Sequence, residues 1–192
     1  MNRIKKIPLF IIAAILVGIK TYVVYRFYFD LSIESLFQEI ILLVNAFAIS
    51  MFLFFIAVWL KPKSQKRYIL TTGIILSIII MANLMYYRNF TDFVTVPTLF
   101  QVNNAGDLGS SVTSLVYFSD ILLFLDLALI MTFIKLNTFS IEQFSSQFRK
   151  RIVAISMTAV IVNMVLAEIE RPMLFQRGFD REYLVKNVGL PV

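Results

Sequence analysis

Residues Leu36–Leu60 read LFQEIILLVNAFAISMFLFFIAVWL, 25 consecutive positions with a single charge, Glu39. At about 1.5 Å per residue, a helix of this length exceeds the roughly 30 Å of hydrocarbon in a bilayer. The stretch has no polar stripe of the kind a surface helix carries. Four more blocks of the same character surround it, at about residues 7–27, 68–87, 117–134 and 152–169. The whole chain of 192 residues is 59% hydrophobic and 16% charged, against about 45–50% and about 25% in soluble domains. The expected fold is therefore all-α: a polytopic membrane protein with five transmembrane helices. A soluble helical bundle is the alternative, and the missing polar stripes argue against it. The first block has the basic start of a signal peptide. Its apolar stretch is too long, and no small-x-small cleavage site follows, so it reads as an uncleaved anchor.

Charge placement sets the orientation. Arg3, Lys5 and Lys6 precede the first block. Lys61, Lys63, Lys66 and Arg67 follow the second, and Lys135, Arg149, Lys150 and Arg151 follow the fourth. These segments hold 11 of the 18 basic residues and one acid, Glu142. The positive-inside rule puts them in the cytosol, with the C-terminus outside. Asp30, Glu34, Glu39, Asp92 and Asp107 fall on the other side. The net charge of +6 is thus a topology signal, and nucleic acid is not an expected partner. The sequence has no cysteine and no histidine, which removes Cys/His zinc sites, Cys nucleophiles and His bases. No catalytic or metal-binding residue is identified.

Two connecting stretches stand out. Arg88–Ser114 is too long for an idle loop. Phe90, Phe93, Val94, Val96, Leu99 and Phe100 suit a segment lying in the outer interface. Thr138–Phe148 has the pattern of a short amphipathic helix, with a plain connector as the simpler reading.

Ionisable groups inside spans cost a few kcal/mol or more, so they pair, face protein or water, or act. Lys20 stands roughly 18–20 Å up the first span, Asp126 roughly 12 Å and Asp120 roughly 21 Å up the fourth. Lys20 is expected to pair with one of these aspartates or to snorkel. Arg26, Asn83, Arg88, Asp92, Glu170 and Arg171 gather near the outer boundary, with Glu168 three residues before Arg171. Together these residues form a polar cluster that is either structural or suited to a lipid headgroup, because arginine and lysine both bind phosphate. Tyr22, Tyr25, Tyr28, Tyr86 and Tyr87 read as an interfacial aromatic belt. Ala159, Asn163, Ala167 and Glu170 form a face suited to close helix packing.

Ile19-Lys20-Thr21-Tyr22, Tyr86–Phe93, Gln101, Leu108-Gly109, Glu170-Arg171-Pro172 and Phe179–Lys186 carry a resemblance to the membrane domain of the lipoteichoic acid synthase family of Gram-positive bacteria, synthases and primases alike. The resemblance implies the same five spans. It also implies a plasma-membrane transferase that builds cell-wall lipoteichoic acid by moving glycerol phosphate from phosphatidylglycerol to a glycolipid. The chemistry would belong to an extracellular catalytic domain with a threonine nucleophile and a divalent metal, typically manganese. On this reading residues 1–171 are the membrane domain. Residues 172–192 begin the linker to a catalytic domain that the chain lacks. The expected function is anchoring together with lipid-substrate binding. A passive anchor and assembly module is the first alternative. A small transporter is the second, disfavoured because no inverted repeat is visible.

Overall fold

The computed structural model describes residues 6–29, 31–94, 115–176 and 181–190. Among these the chain is helical: α1 (Leu9–Phe27), α2 (Leu36–Phe54) with a 3-10 extension (Phe55–Trp59), and α3 (Pro62–Phe90) come first. A 3-10 turn (Phe118–Phe124) then leads into α4 (Leu125–Leu136), followed by α5 (Ser146–Glu170) and α6 (Arg181–Val188). Among the described residues four helices are long and apolar enough to cross a membrane: α1, α2 with its extension, α3 and α5, of 19, 24, 29 and 25 residues. Their outward faces carry exposed Ile15, Ile40, Ile75, Ile78, Ile155, Ile161, Val165 and Ile169. Such faces suit hydrocarbon.

The ends of the helices follow from local chemistry. Ser35 caps α2 through its hydroxyl, which accepts from Gln38 N at 3.1 Å. Pro62 starts α3, where its missing N–H costs nothing. That helix therefore begins six residues before the expected Tyr68, and Lys63, Lys66 and Arg67 lie on it rather than in a loop. The expected fourth span is not one continuous α-helix. Asp120 accepts from Tyr117 N at 2.8 Å, and the tight 3-10 turn persists to Phe124 before α4 begins. No amphipathic helix forms over Thr138–Phe148. Residues 138–145 lie outside any helix, Ser146–Phe148 already belong to α5, and Ser140 makes a parallel bridge with Pro8. Leu9 N donates to Ser140 O and Ser140 N to Ile7 O, both at 2.9 Å. The connector thus satisfies an open donor at the start of α1. Of the stretch expected in the outer interface, residues 88–90 belong to α3, and 95–114 lie outside the described residues.

Two apolar clusters fill the bundle. One gathers Leu9, Phe10, Ala13, Val17, Phe54, Ala57, Ile69, Ile130 and Ile152. The other gathers Val24, Tyr25, Phe29, Leu42, Ile80, Leu84, Leu123 and Val185. On α1, on α3 and between the 3-10 turn and α4, a short polar interval separates them. Gly18 lets α2 approach α1 closely: a Cβ there would lie 2.8 Å from the Phe47 ring.

After α5 the chain returns to the bundle. The segment expected to begin a linker carries α6, which packs against α2 and α5. Lys186 is buried, and its Nζ donates to Ser32 O at 2.6 Å and pairs with Glu182 at 2.7 Å. Asn163 Nδ2 donates to Asn187 O at 2.9 Å, and Leu190 N donates to Tyr25 Oη at 2.7 Å. Tyr25 is therefore a core residue, not part of an interfacial belt. Asn45, with its amide oriented to satisfy both ends, donates to Val188 O at 2.9 Å and accepts from Gly189 N at 3.0 Å. Gly189 has φ +92°, and a Cβ there would meet Ile49 at 2.7 Å and Asn45 at 2.8 Å.

Two predictions concern this docking. Gly189→Ala is expected to cost about 1–2 kcal/mol locally. Amide exchange should then rise roughly five- to thirty-fold across Arg181–Leu190, with α1 unchanged. Partial burial pushes the Glu182 carboxyl up, but the hydrogen bonds from Lys186 and Ser32 outweigh it and hold the group below the ordinary glutamate value. A lowered folded value means that its contribution is complete above the ordinary value and is lost as pH falls through the lowered one. Docking of α6 should weaken over that acid range, seen in exchange corrected for its intrinsic pH dependence. Glu182→Gln should flatten the response, and an unchanged slope in that variant would assign it elsewhere.

Candidate functional site

The polar interval between the two clusters is built around Lys20. Its position on α1 faces α3 and α4, and its Nζ lies 2.7 Å from Asp126 Oδ2 and 2.7 Å from Ser77 Oγ. The Ser77 hydroxyl in turn donates to Gly73 O at 2.8 Å. The Lys20 and Asp126 side chains are 7% and 4% exposed. Of the two aspartates that sequence placed near Lys20, the structure selects Asp126. Its second oxygen, Oδ1, is buried and has no hydrogen-bond partner among the described residues.

Asp120 takes a different cation. Arg88 reaches it from the last turn of α3 with two parallel bonds, Nη1 to Oδ2 at 2.6 Å and Nη2 to Oδ1 at 2.7 Å. Arg88 also donates to Leu115 O at 2.7 Å and lies over the Tyr117 ring at 4.2 Å. The planar fork of arginine makes this arrangement possible; a lysine would lose one of the two bonds. The pair fixes the 3-10 turn to the end of α3.

The remaining predicted residues form a rim, not one site. Arg26 Nε sits 3.3 Å from Glu39, which also accepts from Tyr22 Oη. Asp92 pairs with Arg181 at the start of α6. Asn83 accepts from Val94 N at 3.0 Å, fixing the chain after α3. Arg171 stacks on Tyr183 at 4.2 Å, while Glu168 accepts from Met173 N at 2.7 Å. Glu170 is half-buried and makes no ion pair among the described residues. Asn163 and Ala167 are buried in the packing face expected for α5.

Sequence reasoning missed Ser77, Lys186, Glu182 and Asn45. The Glu182–Lys186 pair was readable from its i,i+4 spacing. Ser77 gave no signal, because a lone serine in an apolar run usually satisfies itself on the preceding turn.

The electrostatics are those of matched pairs. Among the described residues, the buried or nearly buried cations Lys20, Arg88 and Lys186 each face a carboxylate. No group of three or more metal-ligating side chains forms among the described residues. Beside the Lys20–Asp126 pair, α1 and α4 leave a groove of about 320 Å³. Its walls are apolar, from Leu16, Ile19, Val23, Leu125 and Leu129, and the ion pair forms its polar spot.

Residues 1–192 match the family described as the lipoteichoic acid synthase N-terminal domain. The chain is 39% identical over 182 residues to lipoteichoic acid synthase 2 of Bacillus subtilis (strain 168), covering 94% of this chain and 28% of that protein. It is 38% identical over 172 residues to lipoteichoic acid synthase-like YvgJ of the same organism, covering 90% of this chain and 28% of that protein. It is 34% identical over 196 residues to lipoteichoic acid synthase of Staphylococcus aureus (strain USA300), covering 98% of this chain and 29% of that protein. The chain thus spans less than a third of the length of these relatives. No solved structure matches it.

Removing one partner of a buried pair leaves an uncompensated charge, at a cost of about 3–5 kcal/mol. Lys20→Met alone should therefore sharply lower the thermal stability of the purified protein. The double change Lys20→Met with Asp126→Leu should recover most of that loss. A double variant as unstable as the single one would show that the pair does not act as a unit.

Proposed function

The chain belongs to the lipoteichoic acid synthase N-terminal domain family, and from that premise we propose that it is the membrane anchor and positioning module of a phosphoglycerol transferase. The observation that carries this reading is the docking of α6. Lys186, Asn187 and Leu190 are tied to the loop before α2, to α5 and to α1. The chain therefore leaves the bundle at a fixed point rather than on a loose tether. In the whole protein, an extracellular catalytic domain with its divalent metal, manganese by family resemblance, would then stand at a set height over the bilayer. Its substrates would be phosphatidylglycerol and a glycolipid, at the plasma membrane of a Gram-positive bacterium.

On this reading the bundle has five spans, with the basic end in the cytosol and α6 outside. The 3-10 turn and α4 support the fifth. A 3-10 turn rises about 2.0 Å per residue, so the 7 and 12 residues of Phe118–Leu136 together reach about 30 Å despite the short α-helix. The cluster around Leu9–Val17 is hydrophobic, and the buried polar residues next to it on α2, α3 and α5, Ser50, Gln65 and Ser156, are uncharged, which disfavours an ion path through the full depth.

Lipid presentation is the second reading. The groove between α1 and α4 favours it; the pairing of Lys20 and Arg88 with carboxylates weakens them as phosphate ligands.

The chain has no cysteine, so single cysteines report topology directly. Glu34→Cys should react with an impermeant maleimide on intact cells, while Lys63→Cys and Gln143→Cys should react only after permeabilisation. Labelling of Lys63→Cys on intact cells would overturn the orientation. In the full-length protein, exchanging residues 1–171 for an unrelated outward-facing anchor should depress polymer synthesis at equal surface abundance. Full activity in that chimera would reduce the module to a tether.

A further inference from the structure

At the basic end of the bundle the cations are not matched. Arg149 and Lys150, in the first turns of α5, make no ion pair and no side-chain hydrogen bond among the described residues. The same holds for Lys63 and Arg67 at the start of α3. Lys20, Arg88 and Lys186 differ, since each faces a carboxylate. The acid on this side, Glu142, is engaged elsewhere and accepts from Ser140 Oγ at 3.0 Å.

The 3-10 extension of α2 packs against α5. Between them lies a groove of about 510 Å³, lined by Trp59, Ser146, Arg149, Lys150, Val153 and Ala154. Ligand pockets run from roughly 300 to 1,000 Å³. Helical spacing orders the lining. Val153 and Ala154 follow Arg149 and Lys150 by one turn, so they sit about 6 Å farther along the same face. Two cations thus share one level, with a small apolar strip beyond them. Among the described residues no acid lines the groove. Trp59 forms the opposite wall. Its ring packs edge-on against Phe55 at 5.7 Å and is 48% exposed, the setting of an indole at a membrane–water interface.

We propose that this groove seats an anionic phospholipid of the cytosolic leaflet, with its phosphate at Arg149 and Lys150 and an acyl chain along Val153 and Ala154. Charge selects the headgroup. Two cations without a carboxylate attract an anion, and each cation near a membrane surface contributes about fivefold in binding. Arginine adds a planar fork that matches phosphate, and lysine a point charge. The apolar strip selects a lipid over a soluble anion, which would leave Trp59, Val153 and Ala154 uncovered. The proposal rests on the chain being the membrane domain described above, and takes from its orientation only the leaflet that supplies the lipid.

Trp59 is the single tryptophan of the chain, so its fluorescence reports on the groove directly. The 192-residue chain is placed in phosphatidylcholine liposomes that contain a minor share of lipid brominated near the top of its acyl chains. The brominated lipid is phosphatidylglycerol, phosphatidylserine or phosphatidylcholine. The two anionic lipids should quench Trp59 at about a five- to thirty-fold lower share than phosphatidylcholine, and equally well, because the site reads charge. Arg149→Gln with Lys150→Gln should bring the three lipids level. Lys63→Gln with Arg67→Gln removes the same charge outside the groove and should keep most of the preference. Soluble glycerol phosphate should not relieve the quenching. Equal quenching by all three lipids in the unaltered chain, or a preference for phosphatidylglycerol alone, would overturn the proposal. So would an equal loss in both double variants, which marks a diffuse surface field, or relief by glycerol phosphate, which marks a free anion. Flotation with the liposomes tests insertion separately. An inserted chain without preference overturns the lipid seat alone and leaves the membrane-domain reading in place, whereas a chain that does not insert overturns both.

Discussion

A charge placed in hydrocarbon must find its opposite, and in this bundle that constraint acts through Lys20. Its ammonium reaches Asp126 on α4 and Ser77 on α3, so one side chain of α1 binds two other helices. Between apolar helices in lipid there is little hydrophobic drive to choose one alignment over another. A buried ion pair supplies that choice, because sliding or rotating a helix would separate the charges. The two apolar clusters fall on either side of the pair along α1, along α3 and from the 3-10 turn into α4. Arg88 and Asp120 repeat the device one level away and hold the turn before α4 against the end of α3. Lys186 meets its opposite charge, Glu182, within α6 and ties that helix to the loop before α2 through hydrogen bonds to Ser32.

The pairing has a price in chemistry. A lysine or arginine that neutralises a carboxylate is no longer a free phosphate ligand. The expected outer polar cluster therefore divides in the structure into separate ties: Arg26 with Glu39, Asp92 with Arg181, Arg88 with Asp120. These ties brace the loops and α6, and they fit a module that holds position.

The main spans were legible because hydrocarbon thickness writes directly into run length, as Leu36–Leu60 shows. The Lys20–Asp126 partnership was half legible: height along the helix limited the choice to two aspartates, but only rotation about the helix axis decides between them. The 3-10 turn at Phe118–Phe124 was not legible, since its residues, FSDILLF, contain neither glycine nor proline to break a helix. Its cause is Asp120, held by Arg88 from 32 residues away. The burial of Tyr25 and Lys186 was hidden for a similar reason. Both are amphipathic residues that ordinarily sit at a boundary, and α6 covers them only through contacts with residues more than 150 positions apart. Local composition carries no record of such a contact.

The order of the chain gives the central pair a history. Lys20 and Asp126 are separated by 106 residues. A ribosome adding about 5–20 residues per second needs on the order of 5–20 s to cover that distance. Through that interval α1 exists with its lysine and without the aspartate. The first helix is thus not self-sufficient in lipid: it must wait near the insertion machinery, or with its lysine drawn toward the headgroups, until α4 arrives. Biogenesis of the bundle is then a matter of timing as well as hydropathy, with the last-made partner releasing the first-made helix into its place.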